Sequence, residues 1–292
     1  MAKQKMGVLG PQGTHSEAAG FYLSGRLEDA ELVMEPDIFD CLQAVEEGAV
    51  DMALVPVENS LEGVVSVTLD TLAESSSLTV TKELIWPVHN QLMGKCKPEE
   101  VTRIYSHPQP ISQCRNFLRQ HYPQAEIIKT ASTARAAELV GEEPAFLGWA
   151  AICPVRAGQL YGLTPLAREI QDNMANCTRF FLVEKQGREK MPELSGALGR
   201  KLLVICQIDG KKSGALYEVL GEFAKRGVNM TRIESRPART VLGAYIFFFD
   251  LEADTCSGED LLEAVQAVEK KSLWLKRLGP FEVLEANELG GK

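Results

Sequence analysis

The residues best suited to chemistry stand in one short run, DNMANCTRFFLVEK, from Asp172 to Lys185. Its second half, FFLVE, has the apolar character of a buried strand. Directly ahead of it come amides, a thiol, a hydroxyl and a guanidinium, with Asn176, Cys177, Thr178 and Arg179 in succession. A strand cap alone would need only a Gly, Asn or Asp turn. A nucleophilic role for Cys177 would require a nearby imidazole. The four histidines, at 15, 89, 107 and 121, lie in other segments, so the thiol is read as a bystander.

Four further junctions share this polar character: GPQGTHS, PVENSLEG, SHPQP and KTASTA. Each follows a strand-like run and leads into a helical one. Helix N-termini present unpaired N–H groups and a positive dipole end, so several converging on one cleft make an anion site. Ser, Thr and Asn at such places are also preferred N-caps, which is the plainer reading of any one junction. Four together, with NCTR, point to a ligand site. Other chemistries fit less well. Gly10-Pro-Gln-Gly13 lacks the G-x-G-x-x-G spacing of a dinucleotide fold even with Glu35 after the second strand. Ser60 has no G-x-S-x-G elbow. His107, before Pro108, reads as a turn residue. No spacing resembles a metal site.

The elements that must position these residues follow from the patterning. KMGVLG, AELVME and DMALVPV read as strands, with THSEAAGFYLSG, IFDCLQAVEEG and VTLDTLAES as the alternating helices. LTVTKELIWPVHNQLMG reads as a crossing strand, with a break or edge position at Pro87. A second lobe repeats the grammar: TRIYS, AEIIKT and PAFLGW as strands, PISQCRNFLRQHY and STARAAELVGE as helices. FFLVEK supplies a strand returning to the first lobe. Two α/β lobes joined by two crossing segments imply a cleft between them, and ligands of open α/β sheets lie beyond the carboxyl ends of the strands. After a polar stretch at 186–200, read as a linker, residues 201–285 give a βαββαβ order suited to a small α+β domain. There Glu234, Ser235, Arg236 and Pro237 stand in a row at a strand end, a costly cluster to leave unpaired, and ligand capture or a domain contact weighs equally with plain packing.

Composition agrees with this plan. A chain of 292 residues is long for a single core, so two domains are expected. Net charge −9 and the lack of a Lys/Arg run argue against nucleic-acid binding. No apolar run approaches a membrane span, and the N-terminus lacks a secretory h-region. Seven dispersed cysteines without a CxxC pair indicate free thiols in a reducing compartment, so a cytoplasmic location is expected.

Taken together, GPQGT (10–14), VPVENSLEG (55–63), SHPQ with Gln113-Cys114, STARAA (132–137), YGL (161–163), IQD and TRF (170–180), then GAL and ESRP, resemble prephenate dehydratase with a C-terminal ACT domain. The match runs nearly the whole length. The resemblance implies a bilobal catalytic domain over 1–185, similar to type 2 periplasmic binding proteins, a linker over 186–200, and a ferredoxin-like ACT domain over 201–285. It implies decarboxylating dehydration of prephenate to phenylpyruvate, feedback control by L-phenylalanine, a homodimer or homotetramer, and no metal or organic cofactor. By the same resemblance Thr178 is the catalytic donor to the leaving ring hydroxyl. Gly13, Thr14, Asn59, Ser60, Ser106, Ser132, Thr133, Arg179 and Phe180 are substrate-binding residues. Gly214, Ala215, Leu216, Asn229, Glu234, Ser235, Arg236 and Pro237 form the phenylalanine site. His15 stands where an aromatic residue is usual, Met230 where Leu is common, and Gly243-Ala244 precede Tyr245 where bulkier residues often occur. No chorismate mutase segment precedes GVLGPQG, so that activity is not expected. Arogenate dehydratase, and a non-catalytic binding or sensor protein, are the alternatives.

Overall fold

A computed structural model describes residues 3–27, 30–186, 200–240, 243–254 and 256–286. The expected linker at 186–200 lies almost wholly outside the described residues.

The first lobe comprises β1 (Lys5–Leu9), α1 (His15–Ser24), β2 (Glu31–Glu35), α2 (Ile38–Glu47), β3 (Met52–Asn59), β4 (Gly63–Val64) and α3 (Ser66–Glu74). The chain crosses through β5 (Leu78–Pro87) and β6 (Gln91–Gly94) into the second lobe. There it forms β7 (Arg103–Ser106), α4 (Pro108–Gln113), α5 (Arg115–His121), β8 (Glu126–Lys129), α6 (Thr133–Glu142), β9 (Trp149–Cys153), α7 (Val155–Leu160) and β10 (Thr164–Ala167). It returns through β11 (Cys177–Lys185). The C-terminal unit is β12 (Arg200–Ile208), α8 (Ala215–Lys225), β13 (Asn229–Pro237), β14 (Tyr245–Glu252), α9 (Gly258–Glu269) and β15 (Ser272–Glu285). No helix among the described residues is long and apolar enough to cross a membrane.

The two-lobed plan and the βαββαβ order are both present. β1 pairs in parallel with β2 and β3, while β11 runs antiparallel between β3 and β5. The second lobe has its own sheet, in the order β10-β6-β9-β7-β8. Local chemistry explains the boundaries. Asp37 caps α2 by accepting from the Asp40 N–H, and Gly48 closes it in the left-handed conformation at φ 76°. Pro87 ends β5, as its missing N–H predicts.

Three expectations change. PISQCRNFLRQHY is two helices, broken at Cys114, where φ −112° and ψ 18° leave the helical region. PAFLGW is mostly not a strand: Ala145–Leu147 form a 3-10 turn with Phe146 exposed, and the strand, WAAIC, begins only at its last residue, Trp149. The largest change concerns the C-terminal unit, which does not stand apart. β15 pairs antiparallel with β12 from Ser272 to Glu282, and from Glu282 to Glu285 it also lies parallel with β5. One sheet therefore runs β13-β14-β12-β15-β5-β11-β3-β1-β2. It folds over on itself, so Leu203, Ile205, Phe248, Leu278 and Phe281 share one core with Leu42, Val55, Leu69, Phe181 and Val183. The Phe181 and Phe281 rings meet at 5.3 Å between centroids, and each phenyl group contributes a few kcal/mol of burial, on the order of 2–3.

Candidate active site

The antiparallel pairing of β11 answers why polar residues precede an apolar strand. It sets the start of β11 beside the carboxyl end of β3, with Thr178 opposite Asn59. The carboxyl ends of parallel strands are where the helix N-termini of both lobes also arrive. A cavity of about 480 Å³ opens there. Its walls carry Thr14 and His15 from α1, Asn59 from β3, His107 and Gln113 from the β7–α4 region, Ser132 and Thr133 from α6, and Thr178 and Phe180 from β11.

Asn59 orders this wall. Its Oδ1 accepts from the Leu61 and Glu62 N–H groups at 3.0 and 3.1 Å, which fixes the amide orientation. Its Nδ2 then donates to Asn176 Oδ1 at 3.0 Å, Cys177 O at 3.2 Å and Thr178 Oγ1 at 3.0 Å. Because the threonine oxygen accepts from Asn59, its own proton points elsewhere, and the space beside it is the cavity. Asn176, 2% exposed, donates through Nδ2 to Gln113 Oε1 at 3.3 Å, which also receives Asn90 Nδ2 at 3.4 Å. This amide relay joins Thr178 in the first lobe to the second lobe and the crossing segment. Two buried atoms at its end, Gln113 Nε2 and Asn90 Oδ1, have no hydrogen-bond partner in the protein. A donor and an acceptor left unmade in a cavity wall are satisfied when a polar ligand enters.

Among the described residues lining the cavity none is Lys or Arg. Positive potential comes instead from helix N-termini. Thr14 caps α1 by accepting from Glu17 N–H at 3.3 Å, and Ser132 caps α6 by accepting from Arg135 N–H at 3.0 Å. His15 is neutral near pH 7, since burial, aided by His89, lowers its pKa to about 4. His107 is a turn residue, as expected: its Nδ1 accepts from the Gln109 N–H at 3.4 Å. It nevertheless lines the cavity.

Of the residues expected to bind substrate, Thr14, Asn59, Ser132, Thr133 and Phe180 line the cavity with Thr178. Four do not, each for a visible reason. Arg179 follows Thr178 on a strand, so its side chain leaves by the opposite face and pairs with Glu58, Glu83 and Asp250. The Ser106 hydroxyl is fully buried and donates to Ile152 O at 2.7 Å. Ser60 holds the segment before Thr178: its Oγ accepts from Cys177 N–H at 3.0 Å and donates to Ala175 O at 3.3 Å. Gly13, at φ +84°, gives its N–H to Glu17 Oε2 at 2.6 Å and is packed against the second lobe. A Cβ there would lie 3.1 Å from Ala157. Asn90 was missed, because it stands between His89 and Gln91 in the crossing segment, away from the polar strand-to-helix junctions that drew attention.

A smaller cavity of about 250 Å³ in the C-terminal unit is lined by Gly214, Ala215 and Leu216 at the start of α8, with Gly243, Tyr245 and Phe247. Asn229 and Glu234–Pro237 are not part of it within one chain. Asn229 Nδ2 meets the Glu252 carboxylate at 2.5 Å. Glu234 lies 4.0 Å from Arg232, and Arg236 makes a two-pronged contact with Asp70 of α3 at 3.0 and 2.9 Å. Among the readings of ESRP, the domain contact is the one Arg236 makes within one chain.

Fold and site together define a class: a two-lobed α/β protein with a polar inter-lobe cleft, built onto a C-terminal βαββαβ unit. Family models agree, with prephenate dehydratase matching residues 6–188 and the ACT domain residues 208–270. The chain belongs to the prephenate dehydratase family. It is 36% identical to a prephenate dehydratase of Lactococcus lactis subsp. lactis, over 97% of this chain and 99% of the relative. It is 35% identical to one of Bacillus subtilis, over 95% and 98%. The crystal structure of prephenate dehydratase from Arthrobacter aurescens in complex with L-Phe superposes with TM-score 0.82 at 34% identity, covering 95% of this chain and 90% of that one.

Proposed function

We propose that the cleft converts prephenate to phenylpyruvate, and that the C-terminal unit makes this turnover responsive to L-phenylalanine. The observation that carries the first part is the Asn59–Thr178 hydrogen bond in the cavity wall. In prephenate the ring carboxylate leaves as CO2, its bonding electrons enter the ring, and the ring hydroxyl departs. That hydroxyl is a poor leaving group until it is hydrogen-bonded or protonated. Thr178, accepting from Asn59, turns its proton toward the cavity and donates to the departing oxygen. A threonine hydroxyl is a weak acid, so the role is donation, with the proton for water supplied ultimately by solvent. Thr14, Ser132 and Thr133, at two helix N-termini, hold the carboxylates. Gln113 Nε2 and Asn90 Oδ1 supply the remaining donor and acceptor. Aromatisation drives the reaction, so orientation and electrostatics carry the catalysis.

We assign turnover to residues 1–185 and regulation to 201–285, with 186–200 as the linker. Gly214–Leu216, Asn229 and Glu234–Pro237 remain the proposed effector contacts. They are apart within one chain, so the reading needs two C-terminal units to pair, in a homodimer or homotetramer. β13 is the outermost strand of the sheet and Ile233 on it is 46% exposed, which favours such pairing. The location proposed is cytoplasmic.

The test is turnover of the purified protein with prephenate, with and without L-phenylalanine, beside a Thr178→Ala variant. Phenylpyruvate formation that L-phenylalanine suppresses, with kcat of the variant down about 10²–10³-fold at little-changed KM, is expected. Turnover of arogenate in place of prephenate would reassign the substrate. Equal changes in kcat and KM would make Thr178 a binding residue.

A further inference from the structure

Thr178 and Arg179 are neighbours in sequence and part company in space. Thr178 faces the cleft. The Arg179 guanidinium sits between the folded-over halves of the long sheet and reaches Glu58 at 2.9 Å, Glu83 at 2.6 Å and Asp250 at 2.8 Å. Glu83 and Asp250 are fully buried. Burial opposes the guanidinium charge, but Asp250 and Glu83 outweigh it and raise the Arg179 pKa above its ordinary value. Glu58 directly precedes Asn59, the residue that holds the Thr178 hydroxyl. Asp250 belongs to β14 of the C-terminal unit. One largely enclosed cation thus joins the strand ends that shape the cleft to the C-terminal sheet.

A second guanidinium shares the same acids on looser terms. Arg232 of β13, paired across the ladder with Asp250, has Nε at 3.3 Å from Glu58 Oε2. Its Nη1 is 3.9 Å from Asp250 Oδ1 and its Nη2 is 4.0 Å from Glu234. Neither Nη makes a hydrogen bond, and Asp250 Oδ1 is also unpaired. A donor and an acceptor buried face to face without bonding form an incomplete network, which the low-dielectric interior penalises. A displacement on the order of 1 Å brings that pair to hydrogen-bond distance. Because Arg179 holds the other oxygen of Asp250, such a displacement disturbs its contact as well.

Resting on the reading of the cleft and effector given above, we propose that Asp250 is a positioning residue for the Thr178 hydroxyl, acting through Arg179. In the arrangement described, Asp250 holds Arg179 and so fixes the start of β11 beside Asn59. When the C-terminal sheet shifts, Arg232 takes Asp250, Arg179 keeps only Glu58 and Glu83, and Thr178 moves out of line with the leaving hydroxyl. The effector signal therefore reaches the cleft as an exchange of one carboxylate between two arginines.

The test uses the full chain with Asp250→Asn and, separately, Arg232→Gln. Asp250→Asn is expected to lower kcat at least tenfold with KM changed less than threefold. It should also speed amide hydrogen exchange at Cys177–Phe180, and to blunt L-phenylalanine inhibition at least tenfold while L-phenylalanine still raises the melting temperature. Arg232→Gln leaves Asp250 to Arg179, so maximal inhibition should fall while turnover persists. It removes no well-made bond to Asp250, so it decides the matter if the Asp250 variant does not fold. Wild-type kinetics and an unchanged inhibition curve in a folded Asp250→Asn or Arg232→Gln protein would overturn the proposal. A wild-type protein inert toward prephenate would sink the functional reading alone. The exchange measurement would then judge the positioning role: unchanged protection at Cys177–Phe180 in Asp250→Asn rejects it.

Discussion

Replacing Asn59 by Asp changes one atom's chemistry at the centre of the cleft and leaves its shape. The retained oxygen still accepts from Leu61 and Glu62 N–H, so the turn after β3 keeps its bonds. The amide nitrogen, which gives hydrogen bonds to Asn176 Oδ1, Cys177 O and Thr178 Oγ1, becomes a carboxylate oxygen. Two carbonyl oxygens then face an anion, at a cost of about 1–3 kcal/mol for each unsatisfied buried group. The Thr178 hydroxyl can relieve the third contact by rotating its proton onto the new carboxylate. That rotation withdraws the donor proposed to face the leaving hydroxyl. Loss of a single preorganised donor of this kind is worth about 3–4 kcal/mol of barrier, or roughly 10²–10³-fold in kcat. The helix N-termini proposed to hold the carboxylates are untouched, so KM should move less than fivefold. Initial rates of phenylpyruvate formation against prephenate concentration give both constants, and circular dichroism establishes folding. A folded Asn59→Asp protein with kcat within threefold of wild type would refute the argument that Asn59 sets the direction of the Thr178 proton.

Three further outcomes follow from the packing. Gly13→Ala forces a Cβ onto a residue at φ +84° and within 3.1 Å of Ala157, so it should cost about 1–3 kcal/mol in urea denaturation and raise KM by loosening the lobe contact. Phe181→Ala empties a fully buried site shared by the first lobe and the C-terminal sheet. A loss of about 3–5 kcal/mol is expected, and probes in the two parts should shift together because they share one core. His15, held to a pKa of about 4 chiefly by burial, stays neutral in the fold while an unfolded chain would take up a proton below about 6.5. Stability from this group is present above pH 6.5 and is lost as pH falls toward 4, so His15→Phe should flatten the fall in melting temperature across that window.

Most elements of the first lobe were legible because periodicity, caps and glycines agree: α2 runs from the Asp37 cap to Gly48, and the apolar FFLVEK run lies within β11, which begins earlier, at Cys177. The cleft was legible as a set of polar strand ends. Less legible was which residue of each polar run faces inward. Ser106 and Ser60 have the composition of ligand groups, yet one is bonded to a neighbouring strand's carbonyl and the other to the segment before Thr178. Less legible too was that β15 continues through Gly279-Pro280 to reach β5 and make one sheet of the two parts. The register with β12 shifts there, from Leu203 opposite Leu278 to Lys201 opposite Phe281, so the proline takes a bulge position that a strand tolerates.

What the sequence by itself determined is the inventory: two α/β lobes, a βαββαβ unit, and Thr178 with Asn59 among the residues of a polar cleft. These rest on periods, caps and motif order, which act over a few residues at a time. Only the tertiary structure decided that Arg179 serves the interior of the sheet, and that Arg236 contacts Asp70 rather than the cavity beside α8. Strand alternation sends adjacent side chains to opposite faces, and the partners waiting there, Asp250 for Arg179 and Asp70 for Arg236, lie 71 and 166 residues away along the chain. Charges so far apart in sequence leave no local pattern. They pair because folding the sheet over on itself buries them together, where an unpaired charge is too costly to keep.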